Sequence, residues 1–188
     1  TCALPILSTG PITSPCSRPS RPRASPRATH ASTGNAASTL APRPQGWRRD
    51  EVLAAVETVH PGIEVPDSRF LRFEAAGEAQ LIADCACSND MVLGAPVPAD
   101  ARMLDLAGLV VQARVSDGRT PQGVGSNVLG DPLKALVWFA NEIGAAGQTV
   151  QAGQFLTTGA CVPPIPVEPG QRVEADFGWL GRISASFA

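Results

Sequence analysis

Four residues of this chain have the types and spacing for metal or acid–base chemistry: Glu64, Asp67, Arg69 and Asp84. Glu64 stands in Ile63-Glu64-Val65-Pro66-Asp67-Ser68-Arg69, a carboxylate between two β-branched residues on an expected strand. Facing solvent, it needs no partner. Facing inward, it needs a cation, either an arginine or a metal ion. Asp67, Arg69 and Asp84 are its candidate neighbours. An all-oxygen ligand set selects Mg²⁺, Mn²⁺ or Ca²⁺ rather than zinc. Mg²⁺ commonly keeps several waters, so two or three carboxylates hold it and one does not.

Other familiar signals carry less. His60 precedes Pro61-Gly62 and is either a general base or, lacking a visible partner, a helix-end or surface histidine; the second is the expectation. The five cysteines are Cys2, Cys16, Cys85, Cys87 and Cys161. An odd count without a secretory signal argues against a disulfide framework. Cys85-Ala86-Cys87 is C-x-C rather than the C-x-x-C of zinc and redox motifs, and small, partly buried thiols are expected. Gly123-Val124-Gly125-Ser126-Asn127-Val128 lacks the third glycine of a dinucleotide fingerprint. No phosphate-loop lysine follows it, and no Gly-x-Ser-x-Gly elbow exists.

The elements that must position these residues are legible in outline. Val52, Leu53, Val56 and Val59 have the spacing of one helix face over 50–60, and Pro61-Gly62 should end that helix. Ile63 to Val65 reads as a short strand, 91–94 as a buried strand and Pro96 to Pro98 as a turn. The run 109–115 becomes alternating, Asp117-Gly118 turns it, and 121–128 should return as its partner. Gly123 and Gly125 mark a bulge or a close backbone approach there. The clearest helix follows: Asp131 caps it, Pro132 suits its first turn, and Leu133, Leu136, Val137, Ala140 and Ile143 line one face. Gly144 and Gly147 should end it. Strands return around 155–157, 173–177 and 183–187, while the prolines of 163–169 exclude a central strand. Many strands and one long packed helix give an α+β fold with a curved mixed sheet or barrel-like roll.

Composition divides the chain. It has 188 residues and a net charge of −2, which argues against nucleic acid or an anionic membrane as main partner. No apolar run is long enough to span a bilayer, so the expectation is a soluble, cytoplasmic protein. Residues 1–47 contain no Asp, Glu or Lys and are built from Pro, Arg, Ser, Thr and Ala. The first aromatic is Trp47, and all 17 acidic residues lie beyond it. Such a segment cannot bury enough apolar surface to offset its ordering entropy, so 1–47 is expected to be a disordered or targeting leader.

Taken in order, the strings of the remainder resemble a known family. His60 to Phe70 resembles the segment ending I-E-V-x-D-S-R of 2-keto-4-pentenoate hydratases, members of the fumarylacetoacetate hydrolase superfamily. Gln80 to Asp84 resembles their A-D-N-A segment, and Met91 to Gly94 their F-V-L-G. Gly125 to Pro132 and Leu136 to Glu142 resemble G-x-x-V-L-G-x-P and A-x-x-W-L-A-N. Gly153 with Thr158-Gly159 resembles A-G-x-x-x-x-T-G, and Ala175 to Gly181 resembles A-D-F-x-x-L-G. The likeness covers roughly 48–188.

The resemblance implies a lyase that uses Mg²⁺ or Mn²⁺. It would hydrate 2-hydroxypenta-2,4-dienoate-type (2-keto-4-pentenoate) acids to 4-hydroxy-2-oxo acids in aromatic catabolism. A divalent ion chelated by the substrate's carboxylate and 2-oxo oxygens would stabilise the enolate formed during proton transfer. Glu64 matches the family's third carboxylate ligand. Asp67 and Arg69 would hold its strand, Asp84 matches a polar active-site position, and Thr158 with Gly159 matches the turn near the substrate carboxylate. Decarboxylation of 2-oxo acids or C–C hydrolysis stays open within the same fold. Assembly into a homo-oligomer follows by analogy.

Two departures stand out. The family's Glu-x-Glu ligand pair and catalytic lysine belong upstream of Trp47, where this chain has neither acid nor lysine. Cys85 replaces the asparagine of A-D-N-A. Thr1-Cys2-Ala3-Leu4-Pro5-Ile6 looks like the translated end of a sequencing adapter. Residues 1–47 are therefore read as a non-native, out-of-frame leader, and 48–188 as the C-terminal portion of a hydratase-like domain. The metal site would be incomplete and activity impaired. A non-catalytic, metal-free fragment is the reading from a different class.

Overall fold

Packing starts from two short helices and one long one. In the computed structural model, which describes residues 2–8, 39–99 and 101–188, helix α1 spans Arg49–Ala54. Glu51 accepts the Arg48 backbone N–H at 2.8 Å and so satisfies a donor at its first turn. The helix expected to run to His60 stops six residues short of it. His60 precedes a proline, which drives it into extended backbone, so 57–60 cannot stay helical. Instead β2 spans Thr58–Pro66 and carries Pro61-Gly62 in its interior. Proline is tolerated there because the register against β1 (Cys2–Ser8) shifts between Ala3 and Ile6, opposite Pro61.

The other elements are α2 (Glu78–Ala83), β3 (Ser88–Leu93), β4 (Val97–Pro98), β5 (Val110–Val115), β6 (Gln122–Val124), α3 (Pro132–Ala145), β7 (Phe155–Leu156), β8 (Arg172–Asp176) and β9 (Arg182–Ser186). One sheet has the order β3-β2-β1-β7, with β4 also on β2; the second has the order β6-β5-β8-β9. Every strand pair among the described residues is antiparallel, so these are open antiparallel sheets where a mixed one was expected. The segment Pro96 to Pro98, expected as a turn, contributes β4. The fold class is α+β, as the sequence predicts.

In β5, Val111, Ala113 and Val115 point into the core while their neighbours face solvent; Val173 and Ala175 do the same in β8. Asp131 caps α3 by accepting the Leu133 N–H at 2.9 Å, and Leu133, Leu136 and Ala140 are buried. The helix runs through Gly144, and Gly147, at φ 73°, follows its end. Two glycines are forced by close approach. A Cβ at Gly125 would sit 1.7 Å from the Leu106 carbonyl oxygen, and one at Gly123 would sit 1.9 Å from that of Cys161. No helix among the described residues is long and apolar enough to cross a membrane.

The expected boundary at Trp47 is not where packing stops. Leu40 is 3% exposed, belongs to the core and forms a bridge with Val150. The Trp47 N–H donates to Asn141 Oδ1 at 2.6 Å, and Asn141 Nδ2 donates to the Trp47 carbonyl at 3.1 Å. The Arg43 guanidinium lies 3.8 Å from the Trp47 ring centroid and pairs with Glu51. Cys2–Ser8 pairs with β2 and β7 through its backbone. The bulk of the expected disordered leader, 9–38, lies outside the described residues.

Candidate functional site

Glu64 lies on β2, half-buried, opposite Met91 of β3. Asp67 lies just past the end of the strand and is exposed. A register shift between Val65 and Pro66 interrupts the strand between Glu64 and Asp67, and Asp67 lies outside it. Asp67 is used locally: its Oδ1 accepts the Ser68 N–H at 2.8 Å.

Asp84 is 5% exposed at the end of α2. Its Oδ2 accepts the Ser68 hydroxyl at 2.6 Å and the Arg69 N–H at 3.1 Å, while Oδ1 accepts from Arg69 Nε. The Ser68 hydroxyl, followed by the Arg69 guanidinium, lowers this carboxyl from 3.8 to about 2. Asp84 is therefore ionised at neutral pH, with both oxygens already engaged. It closes the neck of the 70–83 excursion and brings Arg69 and Asp84 together across 15 residues. Ser68 is the member that sequence reading passed over. It stood in the quoted Asp-Ser-Arg string, but nothing in the spacing links it to Asp84.

His60 is a correction. It is 6% exposed on β2 rather than at a helix end. One ring nitrogen lies 3.0 Å from Thr58 Oγ1 and the other 3.0 Å from the Gly94 carbonyl oxygen. Since a carbonyl only accepts, Nδ1 donates to Gly94, and Nε2 shares a hydrogen bond with the Thr58 hydroxyl. A ring with both nitrogens satisfied is a structural group, not a general base.

Thr158 is 5% exposed, two residues past β7, and its Oγ1 is buried without a hydrogen-bond partner among the described residues. Gly159 follows at φ 125°, with the Val128 side chain 3.2 Å from where a Cβ would be. A buried hydroxyl beside a turn that only glycine adopts easily is suited to an anionic ligand oxygen. Glu64 lies on β2 and Thr158 follows β7, with β1 between those two strands in the sheet.

No group of three His, Cys, Asp or Glu among the described residues is placed to hold a metal ion. Of the sequence-predicted carboxylates, Asp84 has both oxygens hydrogen-bonded and Asp67 accepts the Ser68 N–H, and Glu64 is the candidate ligand. One carboxylate does not fit a divalent ion on its own.

No family model matches the chain. Among curated proteins it is 33% identical over 138 residues to 2-keto-4-pentenoate hydratase 1 of Dechloromonas aromatica, covering 73% of this chain and 52% of that protein. It is 33% identical over 142 residues to the 4-oxalocrotonate decarboxylase of Pseudomonas putida, covering 76% and 53%. The structure of 4-oxalocrotonate decarboxylase from Pseudomonas putida G7, complexed with magnesium and adipate, superimposes with a TM-score of 0.72 at 26% identity, covering 100% of this chain and 59% of that one. The chain is similar in sequence to 2-keto-4-pentenoate hydratases and 4-oxalocrotonate decarboxylases, and it has the fold of the fumarylacetoacetate hydrolases. The fold of a fumarylacetoacetate hydrolase from Exiguobacterium antarcticum agrees, with a TM-score of 0.59 at 22% identity over 80% of this chain and 52% of that one. The chain spans about half the length of the curated relatives it matches.

Proposed function

We propose that the whole protein is a divalent-metal-dependent hydro-lyase that hydrates 2-hydroxypenta-2,4-dienoate-type acids to 4-hydroxy-2-oxo acids. The observation that carries this is the orphaned Thr158 hydroxyl beside Gly159, a donor set for a substrate carboxylate, in a chain related to enzymes of such acids. Glu64 would be one ligand of Mg²⁺ or Mn²⁺, and the metal would supply charge stabilisation of the enolate. The described residues do not complete that ligand set, so this chain as written is read as a weak metal binder with negligible turnover. Asp84, Arg69 and Asp67 act as supports: they fix the chain behind Glu64 and transfer no proton themselves. Decarboxylation of a 2-oxo acid is the second reading, favoured by the decarboxylase relative. The same reading carries the expectation of a cytoplasmic homo-oligomer and of an out-of-frame leader.

Two measurements test it. Calorimetric titration of this chain with Mg²⁺ and Mn²⁺ should give weak heats that Glu64→Gln abolishes. Tight one-to-one binding unaffected by Glu64→Gln would overturn the assignment of Glu64. A protein with the reading frame restored upstream of Trp47 should deplete dienoate absorbance only with metal present. If it releases CO₂ from a 2-oxo acid instead, the decarboxylase reading stands; if it does neither, both fall. The nucleotide sequence upstream of Trp47 tests the leader separately.

A further inference from the structure

The turn that joins Asp84 to β3 is built from Cys85, Ala86 and Cys87, and all three have left-handed backbone, at φ 53°, 51° and 64°. Side-chain-bearing residues avoid that region, and three in succession are held only by their surroundings. Three backbone hydrogen bonds hold them, one from the Ser88 N–H to the Cys85 carbonyl. The Cys87 N–H donates to the Asp84 carbonyl at 3.2 Å, and the Cys87 carbonyl accepts the Asp67 N–H at 3.0 Å. The turn therefore ties the end of β2 to the end of α2. Cys85 is exposed and Cys87 half-buried, so reagents in solution can reach the pair. The Arg69 guanidinium, already paired with Asp84, also interacts electrostatically with Cys85.

Chain geometry sets α-carbons two residues apart at about 5–7 Å, within the span a disulfide bridges. In a helical turn such residues diverge by roughly 160° about the axis, so the two thiols point apart. Bridging them requires the left-handed turn to unwind. We propose that Cys85 and Cys87 are a redox-active thiol pair that closes to an intra-turn disulfide and, in closing, releases the bond between Asp67 and Cys87. The exposed Cys85 thiolate attacks a small-molecule disulfide such as oxidised glutathione and expels one thiolate. The Cys87 thiolate then attacks Cys85 Sγ, forms the Sγ–Sγ bond and expels the second. Two protein thiols are oxidised and one external disulfide is reduced to two thiols. The thiol exchange uses no residue placed on the metal or the substrate.

The test uses the full chain equilibrated with oxidised glutathione, trapped with a maleimide and mapped by peptide mass spectrometry. The peptide holding both cysteines should lose the mass of two hydrogens and take up no maleimide. Cys87→Ser should leave Cys85 carrying glutathione. Retention of maleimide on both residues, glutathione on both, or a bridge from either to Cys2, Cys16 or Cys161 would overturn the pairing. Amide exchange at Asp67 should speed by about tenfold on oxidation; an unchanged rate would overturn the coupled release.

Discussion

Asp84 accepts three hydrogen bonds at two carboxylate oxygens, and this sets its response to acid. Its folded-state value is depressed from 3.8 to about 2, chiefly by the Ser68 hydroxyl and then by Arg69. A depressed carboxyl contributes stability that is fully present above its unfolded value and is lost as pH falls through the folded one. The native chain should therefore lose urea stability as pH drops from 3.8 towards 2. Asp84→Asn should start lower at neutral pH and run flatter through that window. Parallel acid limbs in the two proteins would mean that Asp84 is not the charged centre of the neck. Thr158 supports the opposite kind of prediction. Its hydroxyl bears the full desolvation cost without a partner, so Thr158→Val, nearly the same shape, should raise unfolding stability by about 1 kcal/mol. A comparable loss in urea denaturation would show that the hydroxyl is satisfied after all.

At the scale of elements, the close approach of the chain at Gly125 is the most sensitive point. Its would-be Cβ meets backbone, the Leu106 carbonyl, and backbone cannot swing aside as a long side chain would. Gly125→Ala should cost about 1–3 kcal/mol or more, as other overpacked sites do. A midpoint within error of the parent would place slack between β6 and the 101–108 segment that the structure does not contain. Asp131→Ala should cost about 1 kcal/mol through loss of the α3 cap. These elements also show what was legible in the sequence. The α3 cap and apolar face, the β5 alternation and the close approach at Gly123 and Gly125 follow from local chemistry, and the structure contains them. The end of α1 was misread because Val56 and Val59 fit a helical period while the pre-proline His60 forbids it; a periodic pattern yielded to one backbone restriction. The Asp84 neck was not legible. Ser68 and Arg69 meet it across 15 or 16 residues of chain through a fold-level contact, and no spacing rule reports that.

At the scale of the molecule, the question is where the fold begins. Composition draws the line at Trp47, since a stretch without acids or aromatics should not pack. Packing draws it no later than Leu40, whose side chain joins the core beside the Val150 bridge, while Arg43, Gly46 and Trp47 form one unit with Asn141 and Glu51. The two lines differ in energy. A leader outside the fold contributes nothing to cooperative unfolding, whereas truncating a buried leucine costs about 2–5 kcal/mol because the cavity relaxes only partly. Leu40→Ala in the full chain should therefore lower the urea midpoint by that amount. Trp47→Ala should lower it further by removing the stacked Arg43 and the ring's apolar area. Leu53→Ala, on α1 beyond the disputed line, is the internal standard for a half-buried leucine. If Leu40→Ala leaves the transition unmoved while Leu53→Ala shifts it, the native fold starts at Trp47. If Leu40→Ala shifts it by the full core value, residues 40–47 belong to the fold as they stand, and the boundary lies before Leu40.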